Sequence, residues 1–125
     1  MPALAAVLAS ICSAPGQINP DILRTDETAV DLVRDFAAAG KIVAAICHAP
    51  WLLVEAGLAD GREMTSYHSI KTDVQNAGAH WVDKEIAISN GIITSRSPED
   101  LEAFVSKIVE EVEEGDHPRE QVQAA

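Results

Sequence analysis

An α/β domain, a parallel sheet sandwiched by helices, is the fold this sequence predicts, and three observations carry it. A continuous apolar run from Ile42 to Ile46 stands between two helical patterns. Such a run marks a strand buried on both faces, as in a parallel sheet. Gly40, Gly57, Gly78 and Gly115 each follow a helical pattern, where a left-handed residue ends the helix. Asn90-Gly91 separates two β-type runs and predicts a small antiparallel hairpin near residues 85–95.

The elements follow in order. Residues 1–15 are apolar and small, an atypical start. A secretory signal carries Lys or Arg near its beginning, and none is present here. The stretch reads instead as a short buried segment or a replaced start, and Ala5 to Ile11 is apolar enough for one strand. Gly16 to Arg24 reads as a loop with Pro20 and Asp21 at a turn. Thr25 predicts a helix N-cap, with Asp26 and Glu27 in the first turn, where the helix dipole favours acids. Val30, Val33, Phe36 and Ala37 share one face of that helix. After the 42–46 strand comes Cys47-His48-Ala49, then Pro50, suited to a first helical turn. Arg62 to Tyr67 predicts a short strand and Ile70 to Ala77 a helix. His80 to Val82, Glu85 to Ser89 and Ile92 to Ser95 predict strands. Ser97-Pro98-Glu99-Asp100 opens a last helix with an apolar stripe of Leu101, Phe104, Val105, Ile108 and Val112. Glu110, Glu111, Glu113 and Glu114 read as its solvated end, and residues 116–125 as a fraying tail.

The totals exclude several classes. With 125 residues the chain fits one domain, at roughly 100–200 residues each. Nine basic residues are scattered among twenty acidic ones, for a net charge of −11. That balance argues against nucleic acid, whose phosphates need clustered Lys and Arg, and it repels anionic membranes. No apolar run approaches the ~18 residues of a membrane span. The two cysteines, Cys12 and Cys47, are too few for a disulfide framework and lack zinc-site spacing. A reducing cytoplasm is the simpler setting. His68 and His80 combine with Cys47 in no familiar ligand spacing, so no metal is expected, and no cofactor is implied.

Cys47 is the candidate for chemistry. A nucleophile at a strand-to-helix corner is exposed at the carboxyl end of a parallel sheet, where open α/β folds bind ligands. The helix N-terminus there favours a thiolate, and its free N–H groups can hold developing negative charge. His48 can stabilise the thiolate or act as acid and base. The competing reading is that Cys47 merely packs, as buried cysteines do. Adjacent side chains on a strand point to opposite faces, which weakens a Cys-His pair read from spacing alone.

Ile42 to Leu53 reads I-V-A-A-I-C-H-A-P-W-L-L. Downstream come Thr65-Ser66-Tyr67, Ile70-Lys71-Thr72-Asp73, Asn76-Ala77-Gly78-Ala79, Trp81-Val82-Asp83 and Asn90-Gly91-Ile92-Ile93-Thr94-Ser95-Arg96. Upstream stands Gly16-Gln17-Ile18-Asn19-Pro20-Asp21. This series resembles the PfpI-type intracellular peptidases of the DJ-one/PfpI superfamily, related to class I glutamine amidotransferases, over about Gly16 to Val112. The resemblance implies a flavodoxin-like domain over residues 16–115, in which Cys47 matches the nucleophile. His48 matches the histidine after it, whose backbone N–H serves the oxyanion hole, and Gly16 matches the other oxyanion donor. Asp21 matches an acid that a neighbouring subunit supplies to orient the histidine. The family's opening strand, helix and following strands have no counterpart, so the domain is expected to be truncated at its N-terminus. The glutamate that hydrogen-bonds the nucleophile falls in that missing part. Ala14-Pro15 replaces Pro-Gly before Gly16, Ala49 replaces a glycine, and His68 a proline.

A sheet without its central strand exposes edges, so a homo-oligomer, dimer or higher, is expected. The resemblance implies a cysteine hydrolase, or a glyoxalase- or deglycase-like stress protein, acting on a small carbonyl or peptide substrate. Two alternatives stand beside it: a redox-sensing protein whose Cys47 is reversibly oxidised, and an inactive assembly subunit.

Overall fold

The computed structural model describes residues 5–7 and 18–114. The expectations for the rest of the apolar start and for the tail lie outside them. The elements are β1 (Ala5–Val7), α1 (Ile18–Leu23), α2 (Glu27–Ala38), β2 (Ile42–Ile46), α3 (Pro50–Glu55), β3 (Glu63–Met64), α4 (Lys71–Asn76), β4 (His80–Trp81), β5 (Ile86–Ser89), β6 (Ile92–Ser95) and α5 (Leu101–Glu114). Short 3-10 turns at His68–Ile70 and Pro98–Asp100 precede α4 and α5.

The main sheet has the order β1-β2-β6-β5. β1 and β6 both run parallel to β2, with Ala5 opposite Ile42 and Ile46 opposite Ser95. Every residue of β2 is buried, and α2 and α5 both pack on it. That is the continuous apolar strand predicted from the run between helices. β5 returns antiparallel to β6, joined by Asn90 and Gly91 at φ 46° and 83°. Both residues are left-handed, as a two-residue type I′ turn requires. β3 and β4 form a separate parallel pair. A side chain ties that pair to the main sheet: the Thr65 amide donates to the Thr94 hydroxyl at 2.9 Å.

Four local expectations are corrected. Residues 18–23 are helical, so Pro20 and Asp21 sit in α1 and not at a loop turn. Proline is tolerated there because first-turn N–H groups have no partner within a helix. The cap of α2 is Asp26, whose carboxylate accepts from the amides of Thr28 at 2.9 Å and Ala29 at 3.3 Å. Thr25 instead donates its hydroxyl back to the Ile22 carbonyl. The strand expected at 62–67 has only two ladder residues, Glu63 and Met64. On α5 the expected stripe holds at Phe104, Ile108 and Val112, which lie in or against the core, and fails at Leu101 and Val105. Phe104 and Glu111 are buried, while Leu101, Val105 and Val109 face outward. Glu111 is thus no part of a solvated end. It lies seven positions after Phe104, on the same side of the helix.

Phe104 is fully buried in the main cluster with β2 and β6 residues. Phe104→Ala is expected to cost about 3–5 kcal/mol. Urea unfolding of the full chain checks this, and a loss under ~1 kcal/mol would mean α5 is not part of the core.

Candidate active site

The site begins where β2 ends. Cys47 adopts φ 68°, a left-handed conformation that a side chain resists at a cost of order 1–3 kcal/mol. Three hydrogen bonds hold it. The Cys47 amide donates to the Ser95 carbonyl at 3.1 Å, extending the β2–β6 ladder by one residue. The Tyr67 amide donates to the Cys47 carbonyl at 2.8 Å, and the Ala49 amide to the Ile46 carbonyl at 3.1 Å. Pro50 then opens α3, as its position predicted.

The elbow removes the objection that neighbouring strand residues diverge. With the backbone reversed at Cys47, its Sγ lies 3.2 Å from Nδ1 of the adjacent His48. Both side chains are buried. The other ring nitrogen, Nε2, lies 3.2 Å from the Ser69 hydroxyl in the 3-10 turn before α4. The imidazole is walled by Trp51 and Tyr67, with ring centroids at 5.4 and 4.9 Å. Trp51 is pinned in turn: its indole N–H donates to Asp73 at 2.9 Å, and the Arg24 guanidinium lies 5.4 Å from its ring centroid. The expected help from a helix dipole is small, because α3 is only six residues long. The ionisable group in contact with the thiol is the imidazole of His48.

Among the described residues the backbone N–H of His48 donates to no protein acceptor, so it is available to an oxyanion. Gly16, the other expected donor, lies outside the described residues, as does Cys12. Asp21 is exposed on α1 and makes no hydrogen bond with His48 in its own chain. The sequence reading missed Ser69. Only its place in His68-Ser69-Ile70, after the Thr65-Ser66-Tyr67 motif, hinted at a role. His68 and His80 are exposed. The carboxylates of Glu110, Glu111 and Glu114 could approach a cation, since their oxygens lie within 4.8 Å of one another, but they lie on α5 and not at the elbow.

A cleft of about 420 Å³ is lined by Tyr67, Trp81, Asp83, Arg96 and Asp100. Arg96 organises its floor. The guanidinium grips Asp100 through Nε at 2.7 Å and Nη2 at 3.0 Å, and donates from Nη1 to Asp83 at 2.9 Å.

A family model described as the DJ-1/PfpI family matches residues 11–111. This chain belongs to the DJ-1/PfpI family. Among its relatives, General stress protein 18 of Bacillus subtilis is 46% identical over 91 residues, covering 72% of this chain and 53% of that protein. Deglycase PfpI of Pyrococcus furiosus is 41% identical over 95 residues, covering 76% of this chain and 57% of that protein. The crystal structure of Drosophila melanogaster DJ-1beta superposes with a TM-score of 0.73 at 35% identity, covering 78% of this chain and 52% of that chain. The DJ-1/PfpI fold, an α/β sheet with helices on its faces, is therefore that of this chain. The chain spans about half the length of the curated relatives it matches. Among the described residues no helix is long and apolar enough to cross a membrane.

The Arg96 clamp has a pH consequence. Hydrogen bonds from Arg96 hold the Asp100 carboxyl below its ordinary value of 3.8, against the opposing effect of burial. A carboxyl depressed in the folded state adds stability that is fully present above the unfolded value. That stability is lost as pH falls through the folded value. Asp100→Asn is expected to cost about 1–3 kcal/mol at pH 7, and to flatten the acid limb of stability below about pH 4. Urea midpoints from pH 2 to 7 test it, and parallel limbs for both proteins would refute the coupling.

Proposed function

We propose that this chain is a DJ-1/PfpI-type thiol hydrolase or deglycase, with Cys47 as nucleophile and His48 as its acid and base. The 3.2 Å contact between Sγ and Nδ1 at a left-handed elbow is the observation that carries the reading. Folding holds a non-glycine residue in this conformation only where the surroundings over-determine it, and such residues gather at active sites. The name of the Pyrococcus relative, a deglycase, supports the class of chemistry.

The chemistry follows from the atoms. Sγ gives its proton to Nδ1. The thiolate attacks a carbonyl carbon, a C–S bond forms, and the carbonyl electron pair moves to oxygen. The His48 backbone N–H faces that oxygen, with Gly16 as the second donor that the resemblance implies. His48 returns the proton to the departing amine as the C–N bond breaks, leaving a thioester. Water then attacks the thioester, giving one proton to His48 and its hydroxyl to the acyl carbon. The acid leaves and Sγ recovers the proton. With an aldehyde the same thiol adds to give a hemithioacetal.

Asp21 enters as the acid a neighbouring subunit offers, so the working form is a homo-oligomer. Its exposure on α1 suits that role. A thiolate that must stay reduced fits a cytoplasmic setting. The decisive variant is Cys47→Ala, assayed on a peptide anilide and on an α-ketoaldehyde adduct of an amine. Turnover is expected to fall by about 10³-fold or more, as when other covalent nucleophiles are removed, with Cys12→Ser unaffected. Full turnover in Cys47→Ala would end the proposal.

A further inference from the structure

We infer that Ser69 is the positioning residue of the Cys47–His48 pair: its hydroxyl holds the imidazole at Nε2 and so keeps Nδ1 turned toward the Cys47 thiol. This deepens the reading of Cys47 as nucleophile and rests on it. An imidazole has two ring nitrogens, and each makes one hydrogen bond in its plane. Here Nδ1 faces Sγ at 3.2 Å and Nε2 faces Ser69 Oγ at 3.2 Å. For Nδ1 to accept a proton from Sγ it must be bare, so Nε2 must carry the hydrogen. Ser69 Oγ is then the acceptor at that end. When the proton moves from sulfur to Nδ1, the Nε2–H bond to Ser69 is unchanged. One tautomer therefore serves both states of the pair, and the ring need not flip.

Within one chain each nitrogen of the imidazole thus already has a polar neighbour. A carboxylate brought to this imidazole from a neighbouring subunit finds Nε2 taken. It must displace Ser69 or accept the hydrogen of the Ser69 hydroxyl. The other groups around the ring leave the orienting role to Ser69. Tyr67 meets the ring by its face, at 4.9 Å between centroids. Asp73 accepts from the Trp51 indole, Arg24 lies over the Trp51 ring, and His68 lies against the Tyr67 ring. Ser69 itself is exposed on a short turn, so its hydroxyl can be removed with little effect on packing.

The test uses the full chain carrying Cys12→Ser, so that Cys47 is the thiol observed. Iodoacetamide alkylation is followed against pH for the parent, Ser69→Ala, Ser69→Thr and Asp21→Asn, with thermal unfolding as the control for folding. One lost hydrogen bond of ordinary strength raises the apparent thiol pKa by about 1 unit in Ser69→Ala. Alkylation at pH 7 slows to match, and Ser69→Thr restores the parent profile. A Ser69→Ala profile that overlies the parent overturns the inference. So does a shift seen only in Asp21→Asn. The two readings fail separately. A thiol that responds to the Ser69 series while Cys47→Ala retains turnover sinks the enzymatic reading and leaves the positioning role standing. Loss of turnover in Cys47→Ala with a flat Ser69 series sinks the positioning role alone.

Discussion

The burial of β2 is the constraint from which the rest follows. A strand with ladders on both edges and packing on both faces has no freedom to slip, since a one-residue shift would move every side chain to the wrong face. Its last residue is therefore fixed in space, and so is the turn that follows. The amide of Cys47 is still on the ladder to β6, while its carbonyl is taken by Tyr67. Two separate parts of the chain grip one residue from opposite sides. This is how the fold holds a conformation that the residue would not choose, and how it brings two consecutive side chains together.

The polar groups around the sheet show how the second, smaller strand pair is coupled to this frame. Thr94 of β6 accepts the Thr65 amide, so the segment that ends at Tyr67 is aligned with the strand beside the elbow. Arg62, at the start of that segment, is buried and donates to the Ser89 carbonyl at 2.9 Å, next to the hairpin turn. Burial pulls its guanidinium pKa below the ordinary value. Its Nε and the Thr65 hydroxyl have no hydrogen-bond partner among the described residues. Buried polar atoms of this kind cost about 1–3 kcal/mol each. The stability of the segment must come from the apolar contacts of Met64, Val74 and their neighbours in the core.

Much of this was legible in the sequence. The apolar run 42–46, Gly40, Gly57 and Gly78 after helices, the Asn90-Gly91 turn and Pro50 each obey a local rule, and each stands where that rule put it. Cys47 was legible for the same reason, as the residue between a strand and a proline-opened helix. What escaped the sequence is what depends on contacts across the fold. Thr25 and Asp26 are both good caps, and only the geometry of the entering chain selects the carboxylate. On α5 the stripe put Phe104, Ile108 and Val112 on the core side, and only packing decides that Leu101 and Val105 at its margin face outward while Glu111 is buried. Ser69 lies twenty-one residues from His48, and no spacing rule links a serine in a short turn to an imidazole on another element.

The left-handed corner at position 47 has a meaning beyond chemistry. Glycine has no side chain to clash there, and asparagine tolerates the conformation better than most residues. On grounds of comfort alone, a lineage released from the need for a thiol would drift toward one of these two. The residue at this one corner is therefore a ledger of selection. Cysteine persisting in a descendant would record work still being done, and glycine would record that the work had ended while the architecture survived.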